Sequence, residues 1–293
     1  MILSRVKRSS IVRVLISAGK LSRIAKSEFI RTKKSQVNQL IISHENKFVF
    51  IEVPHTASTA ISSELCEHYG GERICYKHAN YSEFYAQASA LERQYFVFGA
   101  VRNPLDAMVT EFCKFREDHK GSFSNPANHK VNGGWVEDGH VEKYRFVQNN
   151  EGDFAKYFNR YQRKIYFNWF LLGHRRFAKV MRFESIKDEF DQTLRLMNIT
   201  PKRTLPMVNK TERPDSFGEF FTPDLHRDTA RCYGPFLEYW GYSLPDSFGA
   251  TPVPRAAKVQ YGLVDKLANS VVRKVCLTHK NKTLSWLHRL VSR

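Results

Sequence analysis

Phe48-Val-Phe-Ile-Glu-Val-Pro-His-Thr-Ala-Ser-Thr-Ala-Ile61 is the stretch that decides how this chain folds. Its first half is apolar, β-branched and aromatic, the pattern of a buried strand. Pro54 ends the strand, and the small and hydroxyl residues from Thr56 to Ala60 lead into a helical pattern that runs to Tyr69. A strand, a tight loop and a helix N-terminus together make an anion site. Unpaired backbone N–H groups and the positive end of the helix dipole converge there, and loop hydroxyls add donors. An ordinary βα turn, with Ser58 or Thr59 as N-cap, satisfies the same pattern.

Outward from this stretch, strands and helices alternate. Gln39 to Ser43 reads as a short strand and His44 to Lys47 as a turn. Gly70-Gly71 stops the first helix, and residues 74–80 form a loop or short extended piece carrying Lys77 and His78. A helix is predicted over 81–93 and a second buried strand over 95–101, with Asn103-Pro104 opening the next helix. Residues 117–150, rich in Gly, Asn, His and Asp, lack sustained periodicity and are expected to be a long loop that shapes a site. Helical patterns follow over 153–172, 185–197 and 223–240, the last with Thr222 as cap, and a third strand over 178–183. This alternation predicts an α/β fold with an open parallel sheet flanked by helices.

The formal net charge of +17 sits at the ends. Residues 1–34 hold ten Lys/Arg against Glu28 alone, residues 255–293 hold nine against Asp265 alone, and the stretch between is neutral. The core is therefore not expected to bind nucleic acid. Both ends also carry apolar stripes at helical spacing, Ile11 to Ile24 and Leu263, Leu267, Val271 and Val275, interleaved with basic residues. Such helices lie on anionic membranes, or else pack on the core or on a second subunit as in a homodimer. The expected division is a basic amphipathic N-terminal tail (1–37), an α/β domain (38–248), and a linker with a basic helical C-terminal tail (249–293). No apolar run approaches the roughly 20 residues of a membrane span, and no cleavage site follows the basic N-terminus. A cytoplasmic protein, peripheral at the membrane through its tails, is expected. Five cysteines without a CxxC pair point to a reducing compartment and to no zinc site.

Chemistry concentrates after the second strand, in Val101-Arg102-Asn103-Pro104-Leu105-Asp106 with Thr110 eight residues beyond Arg102. An arginine at the carboxyl end of a strand points into the crevice where open α/β sheets bind ligands, and its planar fork suits phosphate. A salt bridge to Asp106, one turn away, is the structural alternative.

On these residues the chain resembles a sulfotransferase that uses 3′-phosphoadenosine 5′-phosphosulfate (PAPS), of the carbohydrate-sulfotransferase branch. In that family a strand ending Pro-Lys-Thr-Gly-Gly/Ser-Thr cradles the 5′-phosphosulfate, and Pro54-His55-Thr56-Ala57-Ser58-Thr59 is similar to it. A second strand ending Val-Arg-Asn/Asp-Pro-x-Asp binds the 3′-phosphate through its arginine and a later serine, matched by Arg102 and Thr110. Met181-Arg182-Phe183-Glu184 resembles the family's Arg-Phe-Glu strand end, Leu205 to Arg213 its nucleotide-closing loop, and Phe220 to Tyr242 its C-terminal helix. The resemblance implies the P-loop-like sulfotransferase fold, PAPS as donor, 3′-phosphoadenosine 5′-phosphate (PAP) as product, and no metal. It implies a hydroxyl of a saccharide, glycolipid or polysaccharide as acceptor, in polysaccharide biosynthesis. The donor residues it implies are His55, Thr56, Ala57, Ser58, Thr59, Ala60, Arg102, Thr110, Lys210 and Thr211.

Lys77-His78-Ala79-Asn80-Tyr81 is similar to the His-x-His-x-x-Tyr segment of uronyl 2-O-sulfotransferases, which makes His78 the implied base; otherwise His78 caps the next helix or is solvated. Glu52 is the runner-up. The departures centre on His55, where the family has a lysine, and on Ala57-Ser58, where it has a flexible glycine pair. A neutral imidazole carries no charge, so His55 is expected to take up a proton beside a polyanionic donor, or Lys77 or Lys210 to supply the cation. His119, His129 and His140 sit in the long loop, spaced against a shared metal site. A P-loop kinase lacks its GxxxxGK[ST] here. The competing function is a catalytically decayed member that binds nucleotide or anionic glycan.

Overall fold

The structure, a computed structural model, describes residues 40–74, 80–206 and 216–278. Five strands form one sheet in the order β3-β1-β2-β4-β5: β1 (Leu40–Ser43), β2 (Phe48–Phe50), β3 (Glu72–Ile74), β4 (Phe96–Val101) and β5 (Lys179–Arg182). The expected parallel pairing holds for β2, β4 and β5, with Phe50 opposite Phe98 and Ala100 opposite Met181. The sheet is mixed, however, because β1 forms a hairpin with β2 and β3 adds antiparallel to β1.

The sheet is buried on both faces, which is why its strands read as continuous apolar runs. Alternation along each strand sends Ile41, Phe50, Phe98 and Met181 to one face, against helices α1 (Ser58–His68) and α6 (Ile186–Leu196). Leu40, Ile42, Val49 and Val97 meet α2 (Tyr81–Gln87) and the C-terminal helix on the other. A second core joins α3 (Pro104–Arg116), α4 (Asp138–Asn149), α5 (Phe154–Tyr161) and α7 (Pro223–Tyr239) through Phe112, Phe115, Phe154, Tyr157 and Tyr233.

Several boundaries differ from expectation. The segment 117–150 is not all loop, because α4 forms where Val141 and Val147 bury and Gln148 Nε2 donates to the last carbonyls of α3, Phe115 O at 2.9 Å and Arg116 O at 3.0 Å. Helix α5 stops at Tyr161, since the chain must straighten for Tyr166 N–H to reach Cys232 O at 2.8 Å. Past Pro254 the chain forms α8 (Arg255–Thr278), whose Ala257, Tyr261, Ala268 and Val272 are buried. Leu263 and Leu267, expected to share a stripe with residues further on, face outward with Val259, at 47, 53 and 63% exposure. Among the described residues no helix is long and apolar enough to cross a membrane. The N-terminal tail and residues 279–293 lie outside the described residues.

Candidate functional site

Because β2 and β4 are adjacent and parallel, the loops at their carboxyl ends lie side by side. After β2 the backbone turns sharply: His55 and Ala57 both adopt left-handed conformations, at φ 65° and 59°. Thr56 is buried, and its hydroxyl donates to Val53 O at 2.7 Å, bracing the turn. That hydroxyl is therefore not a donor for a ligand. Ala57, not Ser58 or Thr59, is the N-cap of α1, and no side chain caps the helix. The first intrahelical bond is Ile61 N–H to Ala57 O, at 3.1 Å. The amides of Ser58, Thr59 and Ala60 have no acceptor within the helix, and they converge as an anion cradle. Glu52, the runner-up base, is 3% exposed and accepts from the hydroxyl of Ser62 on α1.

Arg102, 9% exposed, ties the motifs together. Its Nε donates to Asp106 at 2.7 Å, its Nη1 to the His55 carbonyl at 3.0 Å and its Nη2 to Thr110 Oγ1 at 2.9 Å. The salt bridge to Asp106 and the contact with Thr110 thus coexist, because α3 turns the Asp106–Thr110 side toward the crevice. The Phe183 ring lies 4.1 Å from the guanidinium carbon, and Glu184 accepts from Asn103 N–H at 2.9 Å. Tyr242 O–H donates to Glu184 at 2.8 Å, and Arg182 to Trp240 O at 2.6 Å. Stretches far apart in sequence therefore meet around one guanidinium.

A second network, not anticipated from the sequence, adjoins the first. Glu111 accepts from Tyr157 O–H at 2.8 Å and from Lys143 at 3.2 Å, and His140 Nε2 lies 3.8 Å away. Behind it, Tyr233 donates to Gln162 at 2.8 Å and Gln162 to Tyr157 at 3.0 Å, so every link points its proton toward Glu111. Burial pushes the Glu111 carboxyl up, but Lys143, His55, the Tyr157 hydroxyl and His140 together outweigh it and hold it at about 2. His140 therefore sits on α4 beside Glu111 rather than in a loop, and burial lowers its imidazole despite that carboxylate. His129 is structural, its Nε2 2.8 Å from Phe123 O. Among the described residues no group of His, Cys, Asp and Glu is gathered to hold a metal ion.

The His55 residue is exposed, while its ring is desolvated by the protein around it. That burial lowers its pKa to about 4; Glu111 opposes the shift, and Lys114, Arg102 and His140 reinforce it. Without a bound anion His55 is neutral at pH 7, the state from which the expected uptake of a proton beside a polyanionic donor would start. Burial and Arg102 also lower the half-buried Lys114.

Lys77, His78, Lys210 and Thr211 lie outside the described residues. Their flanks are fixed. Asn80 caps α2 by accepting from Ser82 N–H at 3.0 Å, and Glu83 closes a capping box on Asn80 N–H at 2.9 Å. The cap is thus Asn80 and not His78. Before residue 207, Arg203 bonds the buried Glu64 of α1 at 2.8 Å.

The model of the sulfotransferase family matches residues 38–233, the span that holds the cradle, Arg102 and the Glu111 network. No curated protein and no solved structure matches the chain.

Proposed function

The chain belongs to the sulfotransferase family, and from that premise we propose that it moves a sulfuryl group from PAPS to a hydroxyl of a carbohydrate acceptor. The single observation that carries this is the bond from Arg102 to the His55 carbonyl, which couples the two anion motifs across 47 residues. PAPS carries a phosphosulfate and a separate 3′-phosphate, so a donor site for it needs two anion subsites held at a fixed spacing. The uncapped amides of α1 fit the first, and Arg102 with Thr110 fits the second.

In this proposal the amides of residues 56–60 orient the 5′ end of the donor and stabilise charge as it leaves. His55 takes up a proton from the solvent side as the anion arrives. Arg102 and Thr110 hold the 3′-phosphate, and Lys210 and Thr211 close over the nucleotide. His78 accepts the proton of the acceptor hydroxyl, with Lys77 beside it as a further cation. PAPS supplies the activated sulfuryl group. The exposed Val259, Leu263 and Leu267, with the basic sequence that follows them, suit contact with an anionic membrane.

Calorimetric titration with PAP, beside Arg102→Ala, tests the donor site. Micromolar binding that is lost in the variant is expected, followed by turnover on a saccharide acceptor that His78→Ala abolishes while leaving PAP binding intact. The histidine at position 55, where the family has a lysine, favours a second outcome, a decayed member that binds PAP and transfers nothing. PAP binding without turnover on any saccharide would establish it; no PAP binding would overturn both.

A further inference from the structure

Beyond the end of α5 the chain is pinned at Tyr166, whose N–H donates to Cys232 O at 2.8 Å. Its ring is held by α7, stacked on Tyr233 with centroids 5.2 Å apart and edge-on to Phe236 at 4.9 Å. The ring packs against two cores at once, that of Phe112 and Tyr157 and that of Val53, Val101 and Phe236. Val53 immediately precedes Pro54-His55 and Val101 immediately precedes Arg102, so Tyr166 shares a cluster with the residues from which both anion motifs spring. Tyr233, on which it stacks, starts the line of bonds that ends at Glu111. The hydroxyls of Tyr157, Tyr233 and Tyr242 are taken up by Glu111, Gln162 and Glu184. Among the described residues that of Tyr166 has no hydrogen bond, and it is not sealed from solvent although the protein around it desolvates it. A half-buried hydroxyl without a partner in the chain, on a ring packed too firmly to turn away, is a place for a bond from outside.

We propose that Tyr166 binds the acceptor saccharide, its hydroxyl donating a hydrogen bond to an oxygen of the sugar ring that is sulfated. The proposal rests on the transfer to a saccharide set out above. In that reaction the acceptor must reach the carboxyl ends of β2 and β4, where the cradle and Arg102 hold the donor, and the cluster that holds Tyr166 is built on those ends. A bond forms between the attacking sugar oxygen and sulfur while the bond from sulfur to the bridging oxygen of PAPS breaks. The electron pair stays on that bridging oxygen, and the acceptor proton goes to the base. Tyr166 keeps its own proton throughout. Burial and Glu111 push its hydroxyl well above its ordinary value, so at neutral pH it holds the sugar in place without competing for the proton that the base must take.

The full-length protein is assayed with PAPS against unsulfated saccharides, heparosan and desulfated chondroitin among them, and titrated separately with PAP. Tyr166→Phe removes only the free hydroxyl and keeps the ring. It should raise the acceptor KM about 3- to 10-fold, the size of one neutral hydrogen bond, and leave PAP affinity and the melting temperature where they were. Tyr233→Phe, which loses a hydroxyl engaged by Gln162, should instead lower the melting temperature. A fall in the melting temperature of Tyr166→Phe, weakened PAP binding, or an unchanged acceptor KM would overturn the role of Tyr166. Transfer to none of the saccharides by an unaltered protein that binds PAP would overturn the saccharide reading itself, a different failure.

Discussion

The Nη1 of Arg102 donates to the carbonyl oxygen of His55 at 3.0 Å, so the arginine of one anion motif shapes the backbone of the other. The same guanidinium is paired with Asp106 at 2.6 Å inside a nearly closed environment. Arg102→Ala therefore removes a loop brace and strands a buried carboxylate. Equilibrium denaturation should show a loss of about 3–5 kcal/mol, beyond the loss of PAP binding. Arg102→Lys should recover only part of either, since one ammonium cannot serve Asp106, Thr110 and the His55 carbonyl from a planar fork. An Arg102→Ala protein of unaltered stability would contradict this arrangement.

His55 titrates in opposite senses for folding and for binding. Its pKa in the folded chain is about 4 against an ordinary 6.5, so protonation favours the unfolded chain. Its contribution to stability is fully present above 6.5 and is lost as pH falls from there through about 4. A polyanionic ligand favours the protonated ring instead, so PAP binding should take up a proton near pH 6. Titrations in buffers of different ionisation enthalpy measure that uptake. It should shrink in His55→Gln, which isolates the imidazole from titration of the phosphates. Equal uptake in both proteins would rule out a charged His55 in the complex. Once an acceptor is known, His55→Lys should extend activity into the alkaline range.

Glu111 behaves in the other direction. A carboxyl held at about 2 in the folded chain contributes stability above its ordinary 4.5, lost as pH falls from 4.5 toward 2. Glu111→Gln should cost about 1–3 kcal/mol at pH 7, because Tyr157 and Lys143 lose a charged partner. It should also flatten the acid limb of the stability profile. An unchanged acid limb would mean that the network does not hold the carboxylate ionised.

Ala57 occupies a left-handed conformation in which its Cβ is strained, and no side chain caps the helix it begins. Ala57→Gly should therefore raise the stability by about 1 kcal/mol, the relief of strain exceeding the extra freedom of the unfolded chain. A fall in the melting temperature would show that the methyl group packs usefully in the turn.

The outward stripe on α8 gives the membrane proposal a specific handle. The full chain should sediment with vesicles containing anionic lipid at low salt and not with purely zwitterionic ones. Replacing Leu263 and Leu267, exposed at 47 and 53%, with glutamate should abolish that binding without unfolding the helix. Retained sedimentation in the double variant would place the contact elsewhere on the chain.

Much of this arrangement was legible because local pattern and fold agree. The apolar run of β2 and the small residues after it specify a strand, a turn and a helix start, and the eight-residue step from Arg102 to Thr110 is two helical turns. Other features depend on partners remote in sequence. The Glu-Arg-Ile of β3 has no alternation and becomes a strand only by pairing with β1 at the sheet edge. Helix α4 hides in a glycine- and asparagine-rich segment because only Val141 and Val147 bury there. Glu111 was unremarked because its importance lies in Lys143 and Tyr157, which reach it from 32 and 46 residues away. The capping box of Asn80 and Glu83, by contrast, is carried by the local Asn-x-x-Glu spacing alone.

The bonds from Thr56 to Val53 and from Arg102 to His55 close the loop after β2 with groups of the chain itself. A donor arriving there meets a surface that is already in its final shape. The loop after β2 itself needs no ordering before contact, and the proposed closure of Lys210 and Thr211 over the nucleotide comes after it. Capture should therefore run at the pace of diffusional encounter, quickened by the cations of the crevice and slowed as added salt screens them. Differences in affinity among nucleotides would then appear in how long each stays, not in how fast each arrives.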